Sequence, residues 1–226
     1  MNKTTLSLMI AMSAIGVGQV NAATTIISAP AATTSSVGAF TVLWTGNRLQ
    51  VKNGTRVIWE SVANESFVRA GTQQLDAHEL RGSFTVNENI ATQCTDQTIS
   101  SFTQNGTEVV FKGRLTGNTA CATNYTLTFT QPITGHLRFK LNIDNSAVNY
   151  SELAYSSTAD ERFHGFGEQF SVLNMKGKTV PVLSEEGGVG RGHQPITAAV
   201  NLGSKGAAGN ELTTYYAVPQ YITNTN

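Results

Sequence analysis

Apolar and polar residues alternate with a period of two through most of the chain after residue 39. Residues 125–130 alternate Tyr, Leu and Phe with threonine, and residues 136–143 alternate polar side chains with Leu, Phe, Leu and Ile. This period is typical of β-strands that bury one face and expose the other. The pattern therefore predicts a sheet protein with a core on one side of each strand.

Two Asn-Gly pairs, at 53–54 and 105–106, separate strand-like segments. Asn-Gly is the strongest two-residue signal for a β-hairpin. The flanking segments are Arg48–Lys52 with Thr55–Glu60, and Ser100–Gln104 with Thr107–Leu115. Hairpins should therefore dominate residues 39–155, and only Gln73–Arg81 could form a short helix. We predict an all-β fold, an antiparallel β-sandwich with little helix.

The first 22 residues have the pattern of a signal peptide. Lys3 precedes the mostly apolar run Leu6–Val17, and small residues stand at Val20 and Ala22. The run is too short to span a bilayer, and no membrane span is predicted elsewhere. We expect cleavage after Ala22 and export, to the periplasm or outside the cell. Residues 23–38, rich in Ala, Thr and Ser, should form a flexible leader to a single domain over 39–226.

Charge is sparse and balanced. Charged residues make up 13% of the chain, and 15 basic residues balance 15 acidic ones. No basic footprint for nucleic acid is visible, and 40% hydrophobic residues are enough to exclude a disordered polyelectrolyte. We therefore expect a folded protein with no nucleic-acid partner.

The chain has two cysteines, Cys94 and Cys121, 27 positions apart. In an oxidising compartment they could form one disulfide, and two buried thiols are the alternative, because spacing does not fix geometry. No histidine falls within ligand spacing of a cysteine or of another histidine. We predict no metal site and no cofactor.

Glycine and charge are concentrated between residues 160 and 194. The glycines at 188, 190 and 192 match neither phosphate-binding pattern, so a phosphate cradle is excluded. Glu168, Glu185 and Glu186 could supply a carboxylate pair for glycoside hydrolysis by composition only. In the structural alternative, Glu168 accepts hydrogen bonds from loop amides, and Glu185 or Glu186 pairs with Arg191 or Lys178.

Three segments carry a resemblance to a known family. Phe163–Phe170, Ser184–Gln194 and Tyr215–Thr223 together resemble glycoside hydrolase family 31, which contains α-glucosidases, α-xylosidases and sulfoquinovosidases. The resemblance implies a galactose-mutarotase-like β-sandwich, which in the family precedes a catalytic (β/α)8 barrel. The Gly-x-Gly-Glu element, here Gly165, Gly167 and Glu168, belongs to that sandwich.

The sequence departs from the family at several positions. His164 stands where an aromatic such as Tyr is frequent, and Gly187 stands where Gln is expected. The two catalytic aspartates of the family lie on barrel strands, and they have no counterpart in residues 1–226. The resemblance therefore assigns no catalytic residue here. We expect a barrel encoded in cis or in an adjacent frame, and no activity from this chain alone.

The loop after the Gly-x-Gly-Glu element projects in relatives toward the barrel mouth. By this resemblance Glu186, Arg191 and Gln194 should meet the hydroxyl groups of an α-linked glycoside, unless the loop only docks the sandwich on the barrel. The expected function is a carbohydrate-binding, pocket-supporting domain of an exported α-glycosidase that hydrolyses by a retaining two-aspartate mechanism. The alternatives are a stand-alone, non-catalytic carbohydrate-binding module and an exported structural or adhesive β-sandwich.

Overall fold

A computed structural model describes residues 25–80, 82–117, 121–169, 171–185 and 194–225. The predicted signal peptide, residues 1–22, lies outside the described residues. The described chain divides into two units. One contains residues 25–73 and 90–156, and the other contains residues 74–89 and 157–225.

The first unit contains one small sheet and all of a larger sheet except the ends of two strands, residues 74–80 and 83–89, which belong to the second unit. The smaller has the strand order β2-β3-β4-β5, with β2 Thr33–Val37, β3 Phe40–Trp44, β4 Leu49–Asn53 and β5 Arg56–Glu60. The larger has the order β10-β9-β8-β7-β6-β11, and β1 pairs with β7 in parallel. Its strands are β1 Ile26–Ser28, β6 Val68–Leu80, β7 Ser83–Asn105, β8 Glu108–Gly117, β9 Ala122–Ile133, β10 His136–Ile143 and β11 Tyr150–Leu153.

Alternate residues of both sheets form one hydrophobic core. Trp44 of the smaller sheet lies with its ring centroid 6.4 Å from that of Phe67, which precedes β6 of the larger sheet. Within the larger sheet, the rings of Phe111 and Phe129 meet edge to face at 5.9 Å. Aromatic pairs of this geometry add to the stabilisation that comes from burying apolar area. The predicted all-β class and the antiparallel sandwich are confirmed.

Both Asn-Gly turns form hairpins as predicted. Asn53 pairs with Arg56, and Asn105 pairs with Glu108. Gly54 and Gly106, at φ 60° in both cases, occupy the left-handed region that favours glycine. The local sequence therefore determines where these four strands turn.

Two of the predicted elements are wrong. The supposed flexible leader contains β2, which pairs with β3 from Thr33 opposite Trp44 to Val37 opposite Phe40. Its threonines and serines are weakly hydrophobic, so the stabilising contacts come from the partner strand. The supposed helix at Gln73–Arg81 is also wrong, because residues 73–80 continue β6. Pairing with β7 overrides the local helical preference of these residues.

The second unit holds β12, Phe163–Gly167, paired antiparallel with β13, Ala217–Thr223, and one described helix, α1, Pro195–Ser204. No helix was expected after the glycine-rich segment. Pro195 begins the helix at a position where its missing N–H costs nothing, and Lys205, at φ 54°, ends it. No helix in the described ranges is long and apolar enough to cross a membrane.

Cys94 and Cys121 are joined by a disulfide, with Cα atoms 5.3 Å apart. Both side chains are buried in the core of the first unit. Cys94 lies in β7, and Cys121 immediately precedes β9. The bond therefore links the two strands that flank β8.

Candidate functional site

The Gly-x-Gly-Glu element lies where β12 meets β13. Gly165, Phe166 and Gly167 have positive φ angles of 126°, 67° and 100°, and the register shifts between the two glycines. A Cβ on Gly165 would lie 2.6 Å from the carbonyl oxygen of Gln220, and one on Gly167 would overlap the carbonyl oxygen of Tyr216. Both glycines are needed because the backbone of β13 approaches too closely for any side chain.

An aromatic cluster holds this irregular strand in place. The ring of Phe166 stacks on Tyr221 of β13 at a centroid distance of 5.4 Å, and Phe163 lies 5.6 Å from the same ring. The amide of Met175 donates to the carbonyl oxygen of Phe163 at 2.9 Å, and both side chains are buried. Burial of the Phe166 ring offsets the unusual left-handed backbone of that residue.

Glu168 follows the element and is held by its backbone. Its amide donates to the carbonyl oxygen of Tyr216 at 3.0 Å, and its own carbonyl oxygen accepts from Thr214 Oγ1 at 2.8 Å. Its side chain is exposed. No described loop amide donates to its carboxylate, so the structure does not show the acceptor role considered for Glu168.

Glu185 is the buried carboxyl of the site, with 8% of its surface exposed. Its amide donates to the carbonyl oxygen of Thr214 at 2.9 Å. Burial raises the pKa of Glu185 to about 7, because desolvation disfavours the charged form. The ion pair that the structure gives Lys178 is with Glu211, at 3.0 Å, and the other pairings considered for Glu185 and its neighbour involve residues outside the described ranges. The carboxyl is therefore divided between its neutral and charged forms near neutral pH.

Thr214 connects the two acidic segments, and sequence reasoning missed it. Its hydroxyl donates to residue 168, its carbonyl oxygen accepts from residue 185, and the residue itself is 1% exposed. The surrounding sequence, Thr-Thr-Tyr-Tyr at residues 213–216, is typical of the start of a β-strand. No sequence pattern therefore indicates that Thr214 connects the two segments. One threonine thus brings together the Gly-x-Gly-Glu element and the start of the glycine-rich segment.

The same region is anchored to the chain on either side. The amide of Phe84 donates to the carbonyl oxygen of Ser184 at 3.3 Å, and Ser83 Oγ donates to that of Ala207 at 2.9 Å. The side chain of Asn201 in α1 accepts from the amide of Ala208 at 2.8 Å. The segments around residues 83, 184, 207 and 214 therefore form one hydrogen-bonded frame.

Of the three predicted sugar-contact residues, Gln194 is the one described. It is the N-terminal cap residue of α1, and its carbonyl oxygen accepts from the amide of Ala198 at 3.0 Å. Its side chain is exposed and makes no capping bond. Glu186 and Arg191 lie outside the described residues. Within the described ranges, no group of three His, Cys, Asp or Glu side chains could hold a metal ion.

This chain is similar to parts of known sulfoquinovosidases. A curated sulfoquinovosidase of Escherichia coli (strain K12) is 29% identical over 89 residues, which is 39% of this chain and 13% of that protein. A solved structure of a family 31 sulfoquinovosidase from E. rectale, in complex with an aza-sugar inhibitor, matches with a TM-score of 0.61 and 20% identity. That match covers 82% of this chain and 26% of the other. No family model matches the chain.

The predicted resemblance to glycoside hydrolase family 31 is confirmed by these findings. Both similar proteins carry the name sulfoquinovosidase. The matched region spans 13% of the curated relative, and the structural match spans 26% of the solved chain. The similarity therefore concerns a part of each relative, and the structural match defines the fold.

Proposed function

We propose that this chain is the pocket-supporting β-sandwich portion of an exported α-glycosidase related to family 31. Its role is to present the segment 185–194 to an α-linked glycoside. A catalytic (β/α)8 barrel, in cis or encoded in an adjacent frame, supplies the two aspartates of a retaining mechanism. Because both relatives carry the name sulfoquinovosidase, the proposed class of glycosides includes sulfoquinovosides.

The arrangement around Thr214 carries this proposal. Its hydrogen bonds hold Glu168 and Glu185 by their backbones, so the segment that contains Glu186 and Arg191 starts from a fixed, buried residue. That segment is followed by Gln194, whose backbone is fixed at the start of a helix and whose carboxamide is exposed. Polar planar groups on fixed backbone suit recognition of sugar hydroxyls, because little flexibility is lost on binding.

Two observations support export. The start of the chain has the signal-peptide pattern given above. The disulfide between Cys94 and Cys121 is of the kind that persists in oxidising compartments such as the periplasm or the extracellular space. We therefore propose a periplasmic or extracellular location. N-terminal sequencing of secreted material, with cleavage after Ala22, would test it.

Sugar binding tests the proposal directly on this chain. In amide-detected NMR titrations with sulfoquinovose, glucose and xylose, we expect shifts concentrated at Glu185, Gln194 and residues 213–216, with millimolar affinity at best. Gln194→Ala should reduce the shifts, whereas Gln74→Ala, an exposed glutamine elsewhere in the second unit, should leave them unchanged. Absence of any shift in these segments at saturating sugar would refute the pocket role.

A hydrolysis assay distinguishes this proposal from the hypothesis that the chain is an enzyme by itself. Residues 23–226 should release no aryl group from aryl α-glucoside, α-xyloside or α-sulfoquinovoside above the buffer rate, since they carry no counterpart of the catalytic aspartates. Turnover that Glu168→Gln abolishes would contradict this expectation and make the local carboxylates catalytic. Binding without turnover agrees with the pocket role and with the carbohydrate-binding module, and reading the DNA beyond codon 226 for a barrel distinguishes these two.

A further inference from the structure

The outward face of the larger sheet carries an ordered group of cations that the pocket proposal does not use. Lys112 and Arg114 lie at alternate positions of β8, and Arg138 and Lys140 lie at alternate positions of β10. All four side chains are exposed, and no described carboxylate forms an ion pair with them. The inward neighbours on these strands belong to or pack against the core, so the four cations point away from it.

The register places neutral polar groups between the cations. Lys140 lies opposite Thr128 of β9, which lies opposite Val110 of β8. In the next row, Lys112 lies opposite Thr126, and that residue lies opposite Asn142. Alternate residues of one strand are roughly 7 Å apart, and β8 and β10 are roughly 10 Å apart. We call the outward positions 108–114, 124–130 and 138–144 of these strands and the residue after β10, which the register joins into four rows, the cationic sheet face.

Carboxylates on the neighbouring outward positions lie at the ends of this face. Glu108 lies in the row of Thr130 and Arg138, and Asp144, whose amide donates to the carbonyl oxygen of Asn124, lies in the row of Arg114. The two central rows hold Lys112 and Lys140 with threonine, asparagine and one valine, and they contain no carboxylate. The centre of the face is therefore positive, in a chain whose total formal charge is zero.

Protection of a sheet edge does not explain this arrangement. Lysine on an edge strand prevents unwanted strand pairing, and β10 is such an edge. Lys112 and Arg114, however, lie on β8, which is paired on both sides. Two of the four cations therefore need another reason for their position.

We propose that the cationic sheet face binds an anionic polysaccharide, one that carries sulfate, sulfonate or carboxylate groups along an extended chain. The charges complement those groups, and the threonine and asparagine side chains between them can exchange hydrogen bonds with sugar hydroxyls. The face has no aromatic side chain on which a nucleic-acid base could stack. It also has no exposed large apolar side chain to insert into a membrane. This surface is separate from the residues of the pocket proposal and does not depend on it.

The test is a binding titration of the full chain with dextran sulfate at low salt. Unsulfated dextran of equal length, phosphatidylglycerol vesicles and a single-stranded oligonucleotide serve as comparison probes. We expect binding to dextran sulfate, none to dextran, and loss of binding as salt rises from about 50 to about 500 mM, because screening shortens the range of the charges. Lys112→Gln with Lys140→Gln should weaken binding about tenfold.

The matched control is Lys52→Gln with Arg56→Gln, which removes the same charge from the smaller sheet. We expect this control to bind within about twofold of the wild type, since its changes lie outside the face. Equal weakening in both double variants would overturn the proposal, because it would mean that total charge, not this face, attracts the polymer. Tighter binding to vesicles or to the oligonucleotide would overturn it as well. The sugar titration at residues 185–194 is independent of each of these outcomes.

Discussion

At about pH 8 the Glu185→Gln variant should be more stable than the wild type by up to about 3 kcal/mol, and at about pH 4 the two should be equal. Burial raises the pKa of Glu185 from 4.5 to about 7, so the folded chain binds this proton more tightly than the unfolded chain does. The stabilising contribution of the neutral carboxyl is complete below pH 4.5 and is lost as the pH rises through about 7. Glutamine keeps the shape and never ionises.

Urea unfolding of both chains between these two pH values measures the difference. Glu168→Gln is the matched control. Glu168 also bonds to Thr214 by its backbone, but its carboxyl side chain is exposed. The stability of this control should run parallel to that of the wild type across the range. If the Glu185→Gln curve also runs parallel to the wild type, the carboxyl at 185 is ionised in the folded chain and the raised pKa is wrong.

Replacing both Cys94 and Cys121 by alanine should lower the free energy of unfolding by about 3 to 4 kcal/mol in the chain-entropy account. The bond closes an interval of 27 residues and therefore restricts the unfolded chain. It also lies in the core, so the loss of two sulfur atoms adds a packing cost. Denaturant unfolding of the oxidised wild type and of the double variant measures the sum.

Reduction of the wild type separates the two contributions. Reductant should lower the free energy of unfolding of the wild type by most of the difference between the oxidised wild type and the double variant, because reduction removes the cross-link and keeps the sulfur atoms. The double variant should be unchanged by reductant. Non-reducing mass spectrometry of exported protein should show two hydrogens fewer than the reduced chain. Two alkylatable thiols in that material would contradict the pairing.

The sandwich could be predicted because its signals are local. The alternation in β9 and β10 and the turns at Asn53-Gly54 and Asn105-Gly106 each act within a few residues. β2 was missed because its residues, Thr-Thr-Ser-Ser-Val, are held by pairing with β3 and have little hydrophobicity of their own. The local pattern of residues 73–81 allows a helix, because the extended form of residues 73–80 depends on a partner strand that this pattern does not contain.

The site was predicted in part. Family resemblance indicated Gly165, Gly167 and Glu168, and the structure places them where β12 meets β13. The role of Thr214 follows from its hydrogen bonds to Glu168 and Glu185, which lie 46 and 29 positions earlier in the sequence. No local sequence pattern can show contacts at such separations. Helix α1 is not indicated by the local pattern although Pro195 stands at its first turn, since its large apolar residues, Ile196, Val200 and Leu202, are exposed and its buried residue, Thr197, is polar.

The close approach of β13 to Gly165 and Gly167 also changes how their motif should be used. Glycine is required at both positions because the carbonyl oxygens of residues 216 and 220 leave no space for a Cβ atom. Neither glycine contributes a reacting group. A search pattern built on Gly-x-Gly-Glu therefore detects a way of folding two strands together. Chains collected by such a pattern share an architecture, and their chemistry has to be assigned from other residues.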